Sequence, residues 1–342
     1  MGDAMKPDYA HVQTDKMIEK LEKKLQKEYQ QATKEVEAKM NDYLKRFRTK
    51  DKIWRKWVKE GVKSKEEYIK WRQGQMMAGK RWAELKDQLS RDMVNSDKIA
   101  RKIVDNDIKD VYALNVNYTT YQVEHELGID TSFSLYNHDT VERIMRDNPQ
   151  LLPKPGETVS EAIRQGKAVR WNKKTIQSVM TQGILQGESI PNLAHRLAKA
   201  VGDSDYKAAI RNARTMCTGA QNAGRVDANN RLRELGCQID EYWSASHDNR
   251  TRASHRHLDY QKRGDDGFFS NGCRYPADPD CPDGAEIYNC RCTLLTIPKG
   301  FEENYNITSE PEIMEMSYED WKKAKPVYKP ITHQRDVSRA IK

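Results

Sequence analysis

The sequence WSASHDNRTRASH, residues 243–255, with YPADPDCP at 275–282 and YNCRC at 288–292, decides how the second half of this 342-residue chain must be read. His247, His255 and His257 open the stretch, and Cys273, Cys281, Cys290 and Cys292 close it: three of the eight histidines and four of the six cysteines. Between them run Gly264, Gly267, Gly272, Pro276, Pro279, Pro282 and Gly284, with few apolar residues to bury. Something besides an ordinary core must therefore fix this segment. Zn2+ bound by thiolate and imidazole stabilises such a loop-rich unit outright, and Cys290, Cys292, His255 and one of Cys273 or Cys281 form a candidate ligand set. A disulfide between two of these cysteines is a second solution. A third is a compact loop domain of reduced cysteines and hydrogen-bonded histidines.

Outward from this stretch, residues 238–245 alternate as a strand does, and 292–298 form a second strand candidate. Pairing the two would close the loop at its base and bring Trp243 and His247 near Cys290 and Cys292. Residues i and i+2 of a strand share a face, so both sulfurs can reach one metal ion. Asp248 with Arg250 and Arg252 would tie the loop internally by guanidinium–carboxylate contacts, and Asn289 would sit in a tight turn.

Taken in order, DNRTRASH (248–255), YPADP (275–279) and NCRC (289–292) resemble the signature of the phage Mu protein F-like domain. The matching positions are Trp243, Asp248, Arg250, Thr251, Arg252, His255, Tyr275, Pro276, Asp278, Asn289, Cys290, Arg291 and Cys292. Upstream, ARTMCTGAQNAGR (213–225) is similar to the family helix that begins R-T-E and carries a later asparagine; here Met216 and Cys217 follow Arg214 and Thr215, and the glutamate is missing. The resemblance covers residues 159–298. It implies a minor capsid, or head morphogenesis, protein of a tailed bacteriophage. Such a protein associates with the portal, major capsid or scaffold protein in the host bacterial cytoplasm during procapsid assembly. It then lies inside the virion near packaged double-stranded DNA, and some of the family are ejected with that DNA.

Charged residues make up 32% of the chain, which points to an interior divided among helices rather than one large core. The sequence has no run of about 18 apolar residues and no export-signal pattern at its start, so neither secretion nor membrane spanning is expected. The net charge of +8 is uneven: residues 45–72 hold twelve bases against four acids, whereas 265–320 hold thirteen acids against three bases. Thirteen bases also oppose six acids between 161 and 236. The basic stretches suit nucleic acid or an acidic protein, and the acidic one should avoid phosphate.

The expected architecture is α+β and mostly helical: an N-terminal long-helix hairpin or bundle, a helical segment, and a small loop-rich α+β domain with few short strands. Apolar residues from Ile18 to Phe47 recur at spacings of 3 and 4 with an eleven-residue period, the mark of a long amphipathic helix with one seam. Ser64 and Glu67 form a capping-box pattern. Trp54, Trp57, Trp71 and Trp82 interleave with lysine and arginine and are the candidate partner-binding residues; the alternative is that they fill the seam of a helical bundle. A further helix is expected from Ser96 to Leu127, its inward positions including Ile99, Ile108 and Val111. Domain boundaries are placed at 1–148, a Pro/Gly linker at 149–157, the Mu F-like region at 158–298 (helices to 236, Cys/His unit from 237), and a tail at 299–342. Within 158–236, separate helices are expected at 158–165, 172–186, 190–200 and 205–235, the last stopped by Gly236.

An enzymatic reading would use His255 and Asp248 with the nearby arginines for phosphodiester or acyl chemistry. No nucleophile turn, paired-carboxylate metal motif or phosphate-cradling loop accompanies them. The expected function is thus structural: head assembly without catalysis. A zinc-stabilised, non-specific DNA-binding module is the alternative, and a nuclease or hydrolase the more distant one.

Overall fold

The computed structural model describes residues 8–147, 161–301 and 308–328. The expected linker at 149–157 and the end of the tail lie outside them. The fold is mostly helical with few short strands, as the pattern of the sequence implies. Its elements are α1 (Tyr9–Lys45), α2 (Arg48–Lys59), α3 (Lys65–Met76), α4 (Gly79–Leu127), β1 (Ile129–Asp130), α5 (His138–Asp147), α6 (Glu161–Leu185), α7 (Ile190–Glu234), β2 (Cys237–Ser244), α8 (Ala253–His257), α9 (Gly284–Ile287), β3 (Thr293–Phe301), β4 (Thr308–Ser309), a 3-10 turn at Pro311–Glu315, and α10 (Tyr318–Ala324). Residues group into two compact units, and α1, α4 and α7 each contribute to both.

One unit comprises Glu22–Ile103 and Gly156–Ile210. The seam of α1 is covered here by helices of the same chain: Val36, Met40 and Leu44 are buried with Met76, Trp82, Leu89, Met93, Ile176, Met180 and Leu197. The capping box opens α3, with Glu67 N–H donating to Ser64 Oγ and Ser64 N–H to Glu67 Oε2. The buried Asp51 carboxylate accepts from Tyr68 Oη (2.7 Å) and Arg55 Nε (3.0 Å) and lies 3.2 Å from Arg72 Nε, pinning α2 to α3. Trp54 stacks on Trp71 with centroids 5.4 Å apart, and Trp57 meets Trp54 edge-on. Trp57 remains exposed. Trp82 does not: it is buried and its Nε1 donates to Gln177 Oε1, so it belongs to the core and is removed from the partner-binding set.

Helix boundaries differ from expectation in three places, the first being that the helices expected at 158–165 and 172–186 are one, because α6 runs unbroken from Glu161 to Leu185. The helix expected to start at Ser96 starts at Gly79, and Ser96 Oγ bonds the carbonyl of Asp92 one turn back instead of capping; Ile99, expected inward, is exposed. No break separates residues 200 and 205, because α7 runs unbroken through Gly202. A Cβ at Gly202 would fall 2.1 Å from Thr33 Oγ1, so this glycine serves close packing, not helix termination.

The other unit comprises Met1–Leu21, Val104–Pro155 and Arg211–Lys342. Helix α4 stops at Gly128 and α7 at Gly236, both with positive φ (58° and 91°), where a side chain would be strained. The proposed strand pair forms: β2 and β3 are antiparallel from Cys237↔Phe301 to Ser244↔Thr293. Helix α10 is seated by Trp321, fully buried, whose Nε1 donates to Glu124 Oε2 at 2.6 Å.

A two-stranded sheet has two open edges, and unpaired buried backbone groups are costly. Both edges are closed here. Along β2, Trp243 N–H donates to Gln261 O, Tyr260 N–H to Trp243 O, and Arg263 N–H to Glu241 O. Along β3, side chains of α7 do the work: Leu294 N–H donates to Asn222 Oδ1 (2.8 Å), and Leu294 O accepts from Arg225 Nη1 (3.1 Å).

Candidate metal centre and its braces

Helix α7 carries Thr215, Thr218, Asn222, Arg225 and Asn229, all buried, at alternating spacings of 3 and 4 that place them on one face. Thr215 Oγ1 accepts from Asn289 N–H, and Thr218 Oγ1 donates to Cys290 O, each at 2.9 Å. Asn222 Nδ2 donates to Pro276 O (2.9 Å) and Cys292 O (3.2 Å). Asn229 bridges Glu241 on β2 and Thr296 on β3. Arg225 is fully buried: it makes a bidentate pair with Asp8 (2.6 and 2.8 Å) and donates to Asn115 Oδ1. One helix face thus anchors the strand pair, the Pro276 turn and the segment that carries the cysteines.

His255 is on the short helix α8, and Cys290 and Cys292 immediately precede β3. All three side chains are about 1% exposed. Cys292 Sγ lies 3.3 Å and Cys290 Sγ 3.7 Å from His255 Nδ1, and the three donor atoms fall within 4.8 Å of one another. Trp243 meets the imidazole edge-on at 5.2 Å and Phe269 at 5.1 Å, making an apolar wall. On the far side of the ring, Glu286 Oε2 is 3.0 Å from His255 Nε2. That approach is off the N–H direction, so Nε2 has no hydrogen-bond partner among the described residues. A hydrogen bond from the Cys290 thiol and the nearby His255 lower the pKa of Cys292, whereas burial pushes Cys290 up.

This donor set fits a metal ion. Bond lengths of about 2.3 Å to sulfur and about 2.0–2.1 Å to nitrogen put the edges of a tetrahedral zinc site near 3.5 Å, the range spanned by the two S–N separations. Two sulfurs and an imidazole also select a borderline-soft ion over calcium or magnesium. The fourth ligand expected from Cys273 or Cys281 is not available, because those sulfurs are joined in a disulfide across eight residues. The disulfide solution is thus taken by Cys273 and Cys281, and Cys290 and Cys292 are left with His255 as the group that could hold a metal.

The remaining motif residues brace the loop. Asp248 takes a bidentate contact from Arg291, Nη2 to Oδ1 at 2.7 Å, and accepts from Arg250 N–H and Thr251 Oγ1. The Arg291 hydrogen bonds hold its carboxyl far below the usual range. Arg250 and Arg252, expected as its partners, are otherwise placed: Arg250 Nη2 stays 3.9 Å away and exposed, and Arg252 donates to Tyr288 O. Asp278 is buried, which alone would raise its pKa, yet a bidentate contact from Arg274 and two backbone N–H groups hold it below normal. Tyr275 is buried beside it, and Asn289 occupies the left-handed region at φ 60°, the expected tight turn. His247 and His257 are outside the cluster: His247 is half exposed and pairs with Asp259, and His257 is exposed.

Sequence reasoning missed Glu286, Arg274 and the bracing role of α7. The heptad-like recurrence of Thr215, Thr218, Asn222, Arg225 and Asn229 in an alanine-rich helix was the available signal.

Residues 174–295 match the family described as Phage Mu protein F like protein, and they enclose α7, the strand pair's first strand and the whole cysteine–histidine unit. The chain thus carries a Phage Mu F-like domain. It is 26% identical to the minor head protein GP7 of Bacillus phage SPP1 over 91% of its own length and 94% of that protein. By domain and by relative the chain is similar to phage head proteins, the minor head proteins among them. It is also 25% identical, over 59% of its length, to the NAD(+)–arginine ADP-ribosyltransferase EFV of Enterococcus faecalis, of which it spans only 40%. No solved structure matches it.

Proposed function

We propose that the chain is a non-enzymatic minor head protein. In this reading it docks on the portal, major capsid or scaffold protein during assembly in the bacterial cytoplasm. It then lies inside the phage head near packaged DNA and can leave with it. The observation that carries the reading is the end-to-end similarity to GP7, 91% of one chain against 94% of the other, a match in extent as well as motif. The internal use of the motif supports the absence of catalysis. Asp248 is held by Arg291, and His255 is buried against Trp243 and the two cysteines, so the pair required for hydrolysis is engaged in separate braces. The Cys290/Cys292/His255 centre is a structural zinc site, stabilising a loop unit that has few aliphatic residues.

Docking falls to the basic α2 and the turn after it, where Ile53 and Trp57 on the helix and Val62 in the turn are exposed among lysines. Aromatic anchors in such a setting dominate binding energy. Contact with DNA is through phosphate alone and so depends steeply on salt. The test is co-expression of the full chain with portal, scaffold and major capsid proteins. The chain should co-sediment with procapsids at moderate salt, and Trp57→Ala should weaken that association. Binding to DNA alone, lost as salt rises, would favour the nucleic-acid module instead.

The EFV relative favours one second reading, ADP-ribosyl transfer to arginine, the activity in that protein's name. More than half of EFV lies outside the shared stretch, which weakens the transfer of its activity to this chain. NAD+ consumption by the purified chain in the presence of an arginine acceptor would establish it.

A further inference from the structure

Glu286 is a buried-facing carboxylate that no motif predicted, and its surroundings show what it does. Its Oε1 accepts from Ser254 Oγ at 2.9 Å and its Oε2 from Asn271 Nδ2 at 3.3 Å, so the group is held from two sides. The same Oε2 lies 3.0 Å from His255 Nε2, while the opposite ring nitrogen, Nδ1, faces the sulfurs of Cys292 and Cys290. Nε2 is buried and has no hydrogen-bond partner among the described residues, which leaves the carboxylate as the charged group at that end of the ring.

We propose that Glu286 is the positioning residue of a Cys2His metal centre: its negative charge beside Nε2 favours the proton of His255 at that nitrogen and leaves the Nδ1 lone pair for a borderline-soft divalent ion shared with Cys290 and Cys292. This rests on the zinc reading above and adds to it a tautomer and a charge. A histidine ligand oriented by a carboxylate has one nitrogen committed to the metal and is the more basic for it. The two thiolates neutralise the ion, and Glu286 stabilises the positive charge that the bound imidazole acquires. The set has three protein ligands, so the fourth position belongs to water or another small donor.

The test uses the full chain, stripped with a chelator and kept without reductant that binds metal. Zinc affinity is measured by competition with a chromophoric chelator, and the cobalt form is read by its sulfur-to-metal charge-transfer absorption. Glu286→Ala should bind zinc about 100-fold more weakly and Glu286→Gln about tenfold, the range found for removing such carboxylates. The charge-transfer band should persist in both, because the sulfurs are untouched. If Glu286→Ala fails to fold, the isosteric Glu286→Gln decides. Affinities within twofold of the parent for the folded variants would overturn the role of Glu286 while leaving the zinc site intact. A parent chain that takes up no zinc, and behaves as Cys290→Ser/Cys292→Ser does, would instead remove the zinc reading itself.

Discussion

Replacing Asn222 with alanine should open the cysteine-bearing segment more than any other single change on α7. Asn222 is fully buried, and its amide serves Pro276 O, Cys292 O and Leu294 N–H. Alanine leaves at least two of these buried groups, the Pro276 carbonyl and the Leu294 N–H, without a partner. Each unsatisfied buried group costs about 1–3 kcal/mol, so the unit should lose about 4 kcal/mol. That is a large fraction of the roughly 5–15 kcal/mol that holds a domain folded. The buried Cys290 and Cys292 report the opening directly, since an alkylating reagent reaches them only when the unit opens. With a chelator present, their labelling, followed on the peptide that contains them, should accelerate about 1,000-fold in Asn222→Ala, at about 1.4 kcal/mol per decade. Asn230→Ala, at an exposed position on the same helix, should change the rate only about twofold. A rate for Asn222→Ala within threefold of the parent would refute the view that α7 side chains hold this segment.

Two more outcomes follow from the same unit. Asp8→Asn leaves the buried Arg225 without its counter-charge and should cost about 3–5 kcal/mol at neutral pH. Burial raises the Asp8 pKa, but Arg225 outweighs it and the net shift is downward from 3.8, so the contribution is complete above that value and fades as pH falls through it and then through the lower folded pKa. An acid titration followed by circular dichroism should therefore show parent and variant converging at low pH. Cys273→Ser/Cys281→Ser opens a loop closed across eight residues and should cost about 2–3 kcal/mol by chain entropy. Protease cleavage between residues 264 and 282 should accelerate accordingly, by about 30- to 150-fold where opening is rapid.

Much of this unit was legible in the sequence because its parts are local. Alternation at 238–245 and 292–298 marked the strand pair, and Gly128 and Gly236 marked helix ends through the backbone freedom that only glycine has. Ser64 and Glu67 announced a cap that is present in full. What was illegible depends on partners distant in the chain. A break expected between residues 200 and 205 gives way once Thr33 is seen against Gly202, and a helix start expected at Ser96 gives way once its hydroxyl is found on Asp92 O. The pairing of Cys273 with Cys281, and of Cys290 and Cys292 with His255, is one of several partitions that four cysteines allow, and spacing could not choose among them. Likewise Asp248 had Arg250 and Arg252 beside it in sequence, yet Arg291 reaches it with both nitrogens because β2 and β3 bring their ends together.

Hydrogen exchange of the full chain, resolved along residues 243–294, tests most directly whether the histidine-to-cysteine stretch braces itself. The amides of Trp243, Asn289 and Leu294, bonded to Gln261 O, Thr215 Oγ1 and Asn222 Oδ1, should exchange as slowly as the middle of α7, and faster once a chelator is added. Exchange of these amides at the rate of an open loop, with and without the chelator, would contradict the account.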